Sequence, residues 1–444
     1  MNEPELPETQ REAPPADVNE AKPIISTPKS TAKWRTQIHQ RAAMCWLALR
    51  AVARCTPRWL VSDILVPLGT SRAVLVGVAW LSFHALHFHL KSNKWEVGSD
   101  GTVQNISGHL SPNVHPFVNM WARWDGGWYL DIAKHGYRFV PGEQSNVAFF
   151  PLYPYLIRLV HHIIPLNRDS GWLSLGIIVS NTALLIALIY FYRLIRLDYD
   201  RRTAARAVLY LCVFPTTLFL SAVYSESLFL ALVISAFYYA RAARWLSAGA
   251  LMAAAALCRP PGVLLIIPLA FEYLSQKEFQ WHRIKPDCFA LLLSPLALLG
   301  HLTLLRWRFG SWNVISKAEA IAGWNRRLTL PWNTLLYSLQ HIGSSIGYHG
   351  AFEFVFTTIF IALAIFACFR LRPSYAIYSI VSVLFMTSWG DLKSAPRFGL
   401  VIFPIVILLA LLGHHKAFNR TYLALSAILA AVSMVVFSQW GWVA

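Results

Sequence analysis

The chain has 444 residues, 56% hydrophobic and only 14% charged, with a formal net charge of +17. That balance excludes an ordinary soluble domain, in which about a quarter of residues are charged. Its Lys and Arg sit mainly between apolar runs, where they orient a membrane chain, so the basic excess does not imply a nucleic-acid partner.

Residues 1–32 are rich in Pro, Glu, Thr and Ser and have little to bury, which predicts a disordered cytoplasmic tail. No charged region runs directly into an apolar stretch with a cleavage site, so the first span is expected to double as the insertion signal. Residues 33–70 mix Arg41, Arg50, Arg54 and Arg58 with Trp46 and Trp59, the pattern of a basic amphipathic helix on the cytoplasmic membrane surface. The remainder, 71–444, is expected to be an all-α polytopic membrane domain.

Several apolar runs approach the ~20 residues that a helix needs to cross a bilayer. The first, 72–90, leads into an outer loop over 91–170. Within that loop 149–165 is broken by Pro151 and Pro154 and carries Arg158, His161 and His162. It is read as a helix along the outer interface, because a crossing there would put Arg193, Arg196, Arg201, Arg202 and Arg206 outside. Spans follow at 171–192, 206–223 and 226–241. The double proline of CRPPG splits 245–274 into two short spans. Spans at 288–305, 351–369, 375–389, 398–412 and 421–439 complete eleven crossings.

This topology, set by the charges between spans, carries the unusual charged motifs to one face: Asp125, Glu226 in YSES, Arg259 in CRPPG, and Asp391, Lys393 and Arg397 in WGDLKSAPRFG. Ionisable residues at membrane depth are costly and usually serve a site. Asp125 sits among Trp121, Trp124, Trp128 and Tyr129 in MWARWDGGWYLDIAKHGYRFV (120–140). A carboxylate there suits a general base taking a proton from an acceptor hydroxyl, while rings stack on sugar faces. Guanidinium groups such as Arg259 and Arg397 match phosphate oxygens with paired hydrogen bonds.

Structural roles compete with each of these. The tryptophans fit an interfacial belt. Asp125 fits a cap or a pair with Arg123, Glu226 fits the start of a helix capped by Ser225, and Arg158 fits a headgroup anchor. His84, His87 and His89 lie close in sequence but do not share one helix face, and Cys45, Cys55, Cys212, Cys258, Cys288 and Cys368 form no CxxC pair, so no metal site is expected.

RWDGGWYLDIAKHGY (123–137), AFFPLYP (148–154), YSESLFLAL (224–232), CRPPG (258–262) and SAPRF (394–398) resemble, in order and spacing, the PIG-V-like family, the GPI mannosyltransferase II relatives within the GT-C superfamily of membrane glycosyltransferases. The resemblance implies a GT-C-like fold and an inverting transfer of mannose or a similar hexose. The donor would be a polyprenyl- or dolichyl-phosphate sugar, and the acceptor a lipid or glycan on the extracytoplasmic or lumenal face. It assigns the catalytic base to Asp125, with Asp131 the alternative carboxylate.

On that reading Arg259 and Arg397 hold the departing phosphate with help from Lys393; Glu226, Trp124 and Trp128 join the substrate site; and Tyr137 and Tyr153 line an acceptor groove. The tail and compact loops look like those of bacterial relatives, placing the chain in a bacterial plasma membrane, or in the ER membrane if eukaryotic. No DxD nucleotide-sugar motif stands out, which agrees with a lipid-phosphate donor and leaves both a divalent cation and a small membrane subunit open. The competing class is a multi-span lipid or solute transporter, which predicts charges near the midplane and internal repeats.

Overall fold

A computed structural model describes residues 57–85, 116–166, 168–321, 324, 326–342, 347–439 and 441–443. The predicted tail, the start of the basic segment, His87, His89, Cys45, Cys55 and the first part of the outer loop fall outside them. The described chain is helical, within one compact unit, Arg58–Ala444.

Helix α1, Arg58–Ala85, begins well before residue 72, so the residues read as the end of a surface segment continue the first long apolar helix. Trp59 stacks on Tyr192 with ring centroids 4.8 Å apart. Asp63, buried within α1, is bridged by Arg201, Nε to Oδ2 at 2.8 Å and Nη2 to Oδ1 at 3.1 Å, and accepts from the Tyr192 hydroxyl. A charge that composition alone would keep outside a span is thereby paired. A π-turn at Val61–Leu65 accommodates it.

Helix α2, Asp125–His135, and α3, Leu152–Ile163, follow. At 12 residues α3 is roughly 18 Å long, too short for a ~30 Å hydrocarbon core. Arg158 on α3 does not point away as an anchor. It donates to the carbonyls of Ala133 and Ile132 (2.7 and 3.1 Å) in the last turn of α2, the second of which also accepts from the Gly136 N–H. Helix α4, Asp169–Ile195, coincides with the expected second span.

The expected span at 206–223 is interrupted. Helix α5, Arg201–Cys212, stops before Pro215, and the chain makes only a 3-10 turn, Thr217–Leu220, before α6, Glu226–Arg241. Irregular backbone at membrane depth survives where its polar groups are satisfied. Arg72 from α1 meets that demand. Its guanidinium donates to the carbonyls of Cys212 and Thr217 and to the hydroxyls of Thr217 and Ser221, at 2.7–3.0 Å.

The break at CRPPG falls where the prolines demand it. Helix α7, Trp245–Cys258, gives way to an extended Arg259, a 3-10 turn Pro260–Leu265, and then α8, Ile266–Gln276. Gly262 packs on the backbone of Ala255, where a Cβ would collide, so the chain folds tightly against the end of α7. Helix α9, Pro286–Phe309, is followed by α10, Val314–Glu319, and α11, Pro331–Gln340. Then come α12, Gly347–Arg370, and α13, Pro373–Thr387. The expected span at 398–412 divides into α14, Ala395–Gly399, and α15, Phe403–Leu412, and α16, Lys416–Ser438, completes the described helices.

Among the described residues five helices, α1, α4, α9, α12 and α16, are long and apolar enough to cross a bilayer, and α7, α13 and α15 are shorter apolar helices. Length alone therefore accounts for five of the eleven expected crossings. The core around α6 is aromatic, with Phe403 packed on Phe237, Tyr375 and Tyr378 at centroid separations of 5.1–5.5 Å. Helix α6 carries ion pairs at both ends. Glu226 opens it, while Arg241 at its close pairs with Asp198 at 2.6 Å, near the Glu272–Arg372 pair.

Candidate functional site

Four helix ends bring four charged side chains into one cluster. Asp125 stands in the first turn of α2, Glu226 in the first turn of α6, Arg259 directly after α7, and Arg397 on α14. Arg397 Nη1 donates to Asp125 Oδ2 at 2.7 Å, and its Nε lies 3.3 Å from Glu226 Oε1. Arg259 Nη1 lies 2.5 Å from that same Oε1. The signs alternate along the chain of four, and both carboxylates occupy helix N-termini, where the peptide dipoles favour negative charge. Glu226, Arg259 and Arg397 are buried, and the Asp125 side chain is 19% exposed.

Two of the five non-glycine residues with positive φ among the described residues introduce this pair. Trp124 (φ 53°) precedes Asp125, and Ser394 (φ 68°) precedes the helix of Arg397. Such conformations cost about 1–3 kcal/mol and persist where surrounding contacts over-determine them. The Trp124 indole N–H donates to the Gly441 carbonyl at 3.3 Å, and its ring meets Trp442 edge-on. The Ser394 N–H donates to Glu353 Oε1 at 3.0 Å. Gly399, two residues beyond Arg397, lies so close to the Phe360 ring that a Cβ would collide with it, which seats α14 against α12.

The structural partners that the sequence offers are otherwise engaged. Arg123 donates to Asn119 Oδ1 and the Ser438 carbonyl rather than to Asp125. Ser225 does not cap α6, since its hydroxyl pairs with that of Tyr129 at 2.8 Å. The Tyr224 hydroxyl accepts from the Asp125 N–H and donates to the Arg123 carbonyl, pinning the turn that presents Asp125. One oxygen of each carboxylate is left over. Among the described residues Asp125 Oδ1 has no hydrogen bond, and Glu226 Oε2 is buried with none.

Asp131 belongs to a different device. Burial pushes its carboxyl up, but hydrogen bonds from His135, Arg138 and Asn146, at 2.7–2.9 Å, hold it below its ordinary value. It ties α2 to the loop that follows and does not join the cluster.

Beside the cluster lies a cleft with about 810 Å³ of empty space, part of it open solvent. Its wall includes Arg259, Phe398 and Tyr129, and also Arg326, Glu319 and Trp389, which the sequence did not single out. Three guanidinium groups, those of Arg259, Arg326 and Arg397, lie 5.2–5.5 Å from the centroid of the single Phe398 ring. Burial pushes the Glu319 carboxyl above its ordinary value, with Arg326 pulling it partly back. The Arg326 N–H donates to the Glu319 carbonyl at 2.9 Å, so both side chains spring from one folded loop.

Other residues singled out in the sequence lie apart from the cluster. Trp128 packs between Phe149 and Trp324. Tyr153 is fully buried, bonded to Ser180 Oγ at 2.7 Å and to the Gly176 carbonyl. Tyr137 donates to the Phe149 carbonyl at 2.7 Å. Neither tyrosine lines the cavity; both hydroxyls fasten helices and loops together. Lys393 meets Asp391 at 3.5 Å. His84 bonds the Trp80 carbonyl and stacks on its ring. Among the described residues no three His, Cys, Asp or Glu side chains converge as a metal site.

Comparison with known proteins bears on this arrangement. The family model described as "Mannosyltransferase (PIG-V)" matches residues 97–292. GPI mannosyltransferase 2 of Drosophila pseudoobscura pseudoobscura is 30% identical over 159 residues, 33% of this chain and 34% of the relative. GPI alpha-1,6-mannosyltransferase 2 of Rattus norvegicus is 31% identical over 166 residues, 36% and 33% of the two chains. The matched segments thus span about a third of the length of these curated relatives. Among solved structures, ArnT from Cupriavidus metallidurans bound to undecaprenyl phosphate aligns with TM-score 0.46 and 16% identity, over 71% of this chain and 60% of that one. The Archaeoglobus fulgidus oligosaccharyltransferase aligns with TM-score 0.41 and 14% identity, over 72% and 49%. Over residues 97–292, a little under half of its length, the chain is thus similar to the PIG-V mannosyltransferases.

Proposed function

We propose that the chain is a membrane hexosyltransferase of mannosyl type. It transfers the sugar from a polyprenyl- or dolichyl-phosphate donor to a lipid or glycan hydroxyl at the extracytoplasmic or lumenal face, with inversion. The observation that carries this reading is the Asp125–Arg397–Glu226–Arg259 chain beside a cavity rimmed by guanidinium groups. The similarity of residues 97–292 to the PIG-V mannosyltransferases supports the mannosyl assignment, and the positions of Lys and Arg between the apolar runs support the face.

Arg397 holds one oxygen of Asp125 and leaves Oδ1 to accept a hydrogen bond from the acceptor hydroxyl. As that hydroxyl oxygen attacks the anomeric carbon, its proton passes to Asp125 and the carbon–oxygen bond to phosphate breaks, its electron pair leaving with the lipid phosphate. Charge develops on the departing phosphate, where Arg259 and Arg397 supply fixed, desolvated cations. Glu226, buried between the two arginines, fixes their positions.

The test is mannose transfer from polyprenyl-phosphate-mannose to membrane lipid extract by purified protein, comparing wild type with Asp125→Asn at matched folding. Transfer by the wild type and its loss in the variant is the expected result. Equal transfer by both would remove Asp125 as the base, and no transfer by the wild type would return the chain to the transporter reading.

A further inference from the structure

Arg259 and Arg326 give one part of the cavity wall a cationic character, and Glu319 stands on the same wall. Glu319 is 8% exposed, and its side chain makes neither a hydrogen bond nor an ion pair within 4 Å among the described residues. Among the described residues the guanidinium of Arg326 lies over the Phe398 ring and attracts the Glu319 carboxyl without reaching ion-pair distance. A buried carboxyl without a partner is expensive, and a loop free to choose would turn it to solvent or to the nearest arginine. This one instead lines a partly open cleft together with the indole of Trp389 and the rings of Phe149, Phe385 and Phe398. A carboxyl with open acceptor positions flanked by aromatic faces matches a sugar ring, which offers vicinal hydroxyls at its edge and apolar C–H groups on its faces.

We infer that Glu319 reads the hexose of the donor, accepting hydrogen bonds from ring hydroxyls, while Arg326 and Arg259 on the same wall hold the lipid phosphate. This rests on the proposed transferase function and deepens it. It makes the cavity the donor subsite, and makes the loop carrying Glu319 and Arg326, rather than the Asp125 turn, the determinant of which sugar is used. Phosphate recognition and sugar recognition are then separable.

The experiment measures binding of two lipids, polyprenyl phosphate and polyprenyl-phosphate-mannose, to purified full-length protein. The variants are Glu319→Ala, Glu319→Gln and Arg326→Ala, each checked for thermal unfolding. Wild type should prefer the mannose-bearing lipid about ten-fold, the worth of one hydrogen bond to a charged group. Glu319→Ala should abolish the preference without weakening binding of the bare lipid phosphate, and Arg326→Ala should weaken both lipids alike. If Glu319→Ala unfolds, the isosteric Glu319→Gln carries the test, with a reduced preference expected. Retention of the full preference, or an equal loss for both lipids in a folded Glu319 variant, overturns the assignment. Failure of the wild type to bind either lipid instead overturns the transferase reading beneath it.

Discussion

Arg397 reaches Asp125 at 2.7 Å across 272 positions of sequence, and it is the side chain that joins the acidic turn of α2 to Glu226 and thence to Arg259. Because Arg397 has two carboxylate neighbours and Asp125 one arginine, the two ends of the bond are not equivalent. Asp125→Asn leaves Arg397 its pair with Glu226. Arg397→Ala strips Asp125 of its partner and leaves Glu226 to Arg259 alone. Breaking a buried pair from one side costs about 3–5 kcal/mol. Arg397→Ala should therefore lower the unfolding temperature of detergent-purified protein markedly, and Asp125→Asn, at a side chain 19% exposed, much less. Transfer should fall by about 10²–10⁴ with Asp125→Asn, the usual worth of a positioned base. A large stability loss in Asp125→Asn with transfer intact would show a purely structural pair.

The Asp131 network gives a pH dependence with a definite sign. Its folded value lies below the ordinary 3.8 because three hydrogen bonds outweigh burial. A depressed carboxylate contributes stability that is present above the unfolded value and is lost as pH falls through the folded one. Unfolding temperature should drop as pH is taken from about 5 downward through that window. Asp131→Asn should be less stable at neutral pH and flatter across the window. A variant whose acid profile parallels wild type would assign the acid sensitivity elsewhere.

What the sequence made legible were charges out of place. In an apolar chain Asp125, Glu226, Arg259 and Arg397 stand out because each follows or precedes a Pro, Gly or Ser, residues that favour helix ends. Their convergence follows from the ends of α2, α6, α7 and α14 meeting. Glu319 and Arg326 were not legible. They lie in a polar stretch between apolar runs, where a lone Glu or Arg is unremarkable, and only the fold of the loop turns them to the cavity. Tyr137 and Tyr153 illustrate the reverse: aromatic residues in a conspicuous motif whose hydroxyls are used by Phe149, Gly176 and Ser180. The interruption within 206–223 is invisible to hydropathy, which counts side chains, whereas the fate of that backbone is decided by Arg72, more than a hundred residues away.

Arg72 offers a test of that account. It satisfies two carbonyls and two hydroxyls of the broken segment between α5 and α6. Arg72→Ala leaves these without donors in an apolar setting, at a cost of about 1–3 kcal/mol for each group that finds no replacement. Lysine at this position cannot reproduce the fork. Both substitutions should destabilise the protein by at least ~2 kcal/mol, and Arg72→Lys should recover only part of the loss. Hydrogen exchange localised to 212–221 should rise in both. Unchanged exchange there would mean that the segment is held by its own packing.

The placement of Arg397 depends in turn on a residue without a side chain. Gly399 faces the Phe360 ring, which is only 2% exposed and so has no free volume into which to withdraw. In Gly399→Ala the new methyl must be accommodated by moving α14 away from α12, at about 1–3 kcal/mol for overpacking. Arg397 rides on that short helix, so the displacement alters its 2.7 Å bond to Asp125. Gly399→Ala should therefore reduce transfer as well as stability, although it touches neither substrate nor any charged group. Combining it with Phe360→Leu, which vacates part of the ring's volume, should restore both together, since one steric contact governs them. Recovery of stability without recovery of transfer would separate the seating of α14 from the geometry of the Asp125–Arg397 pair.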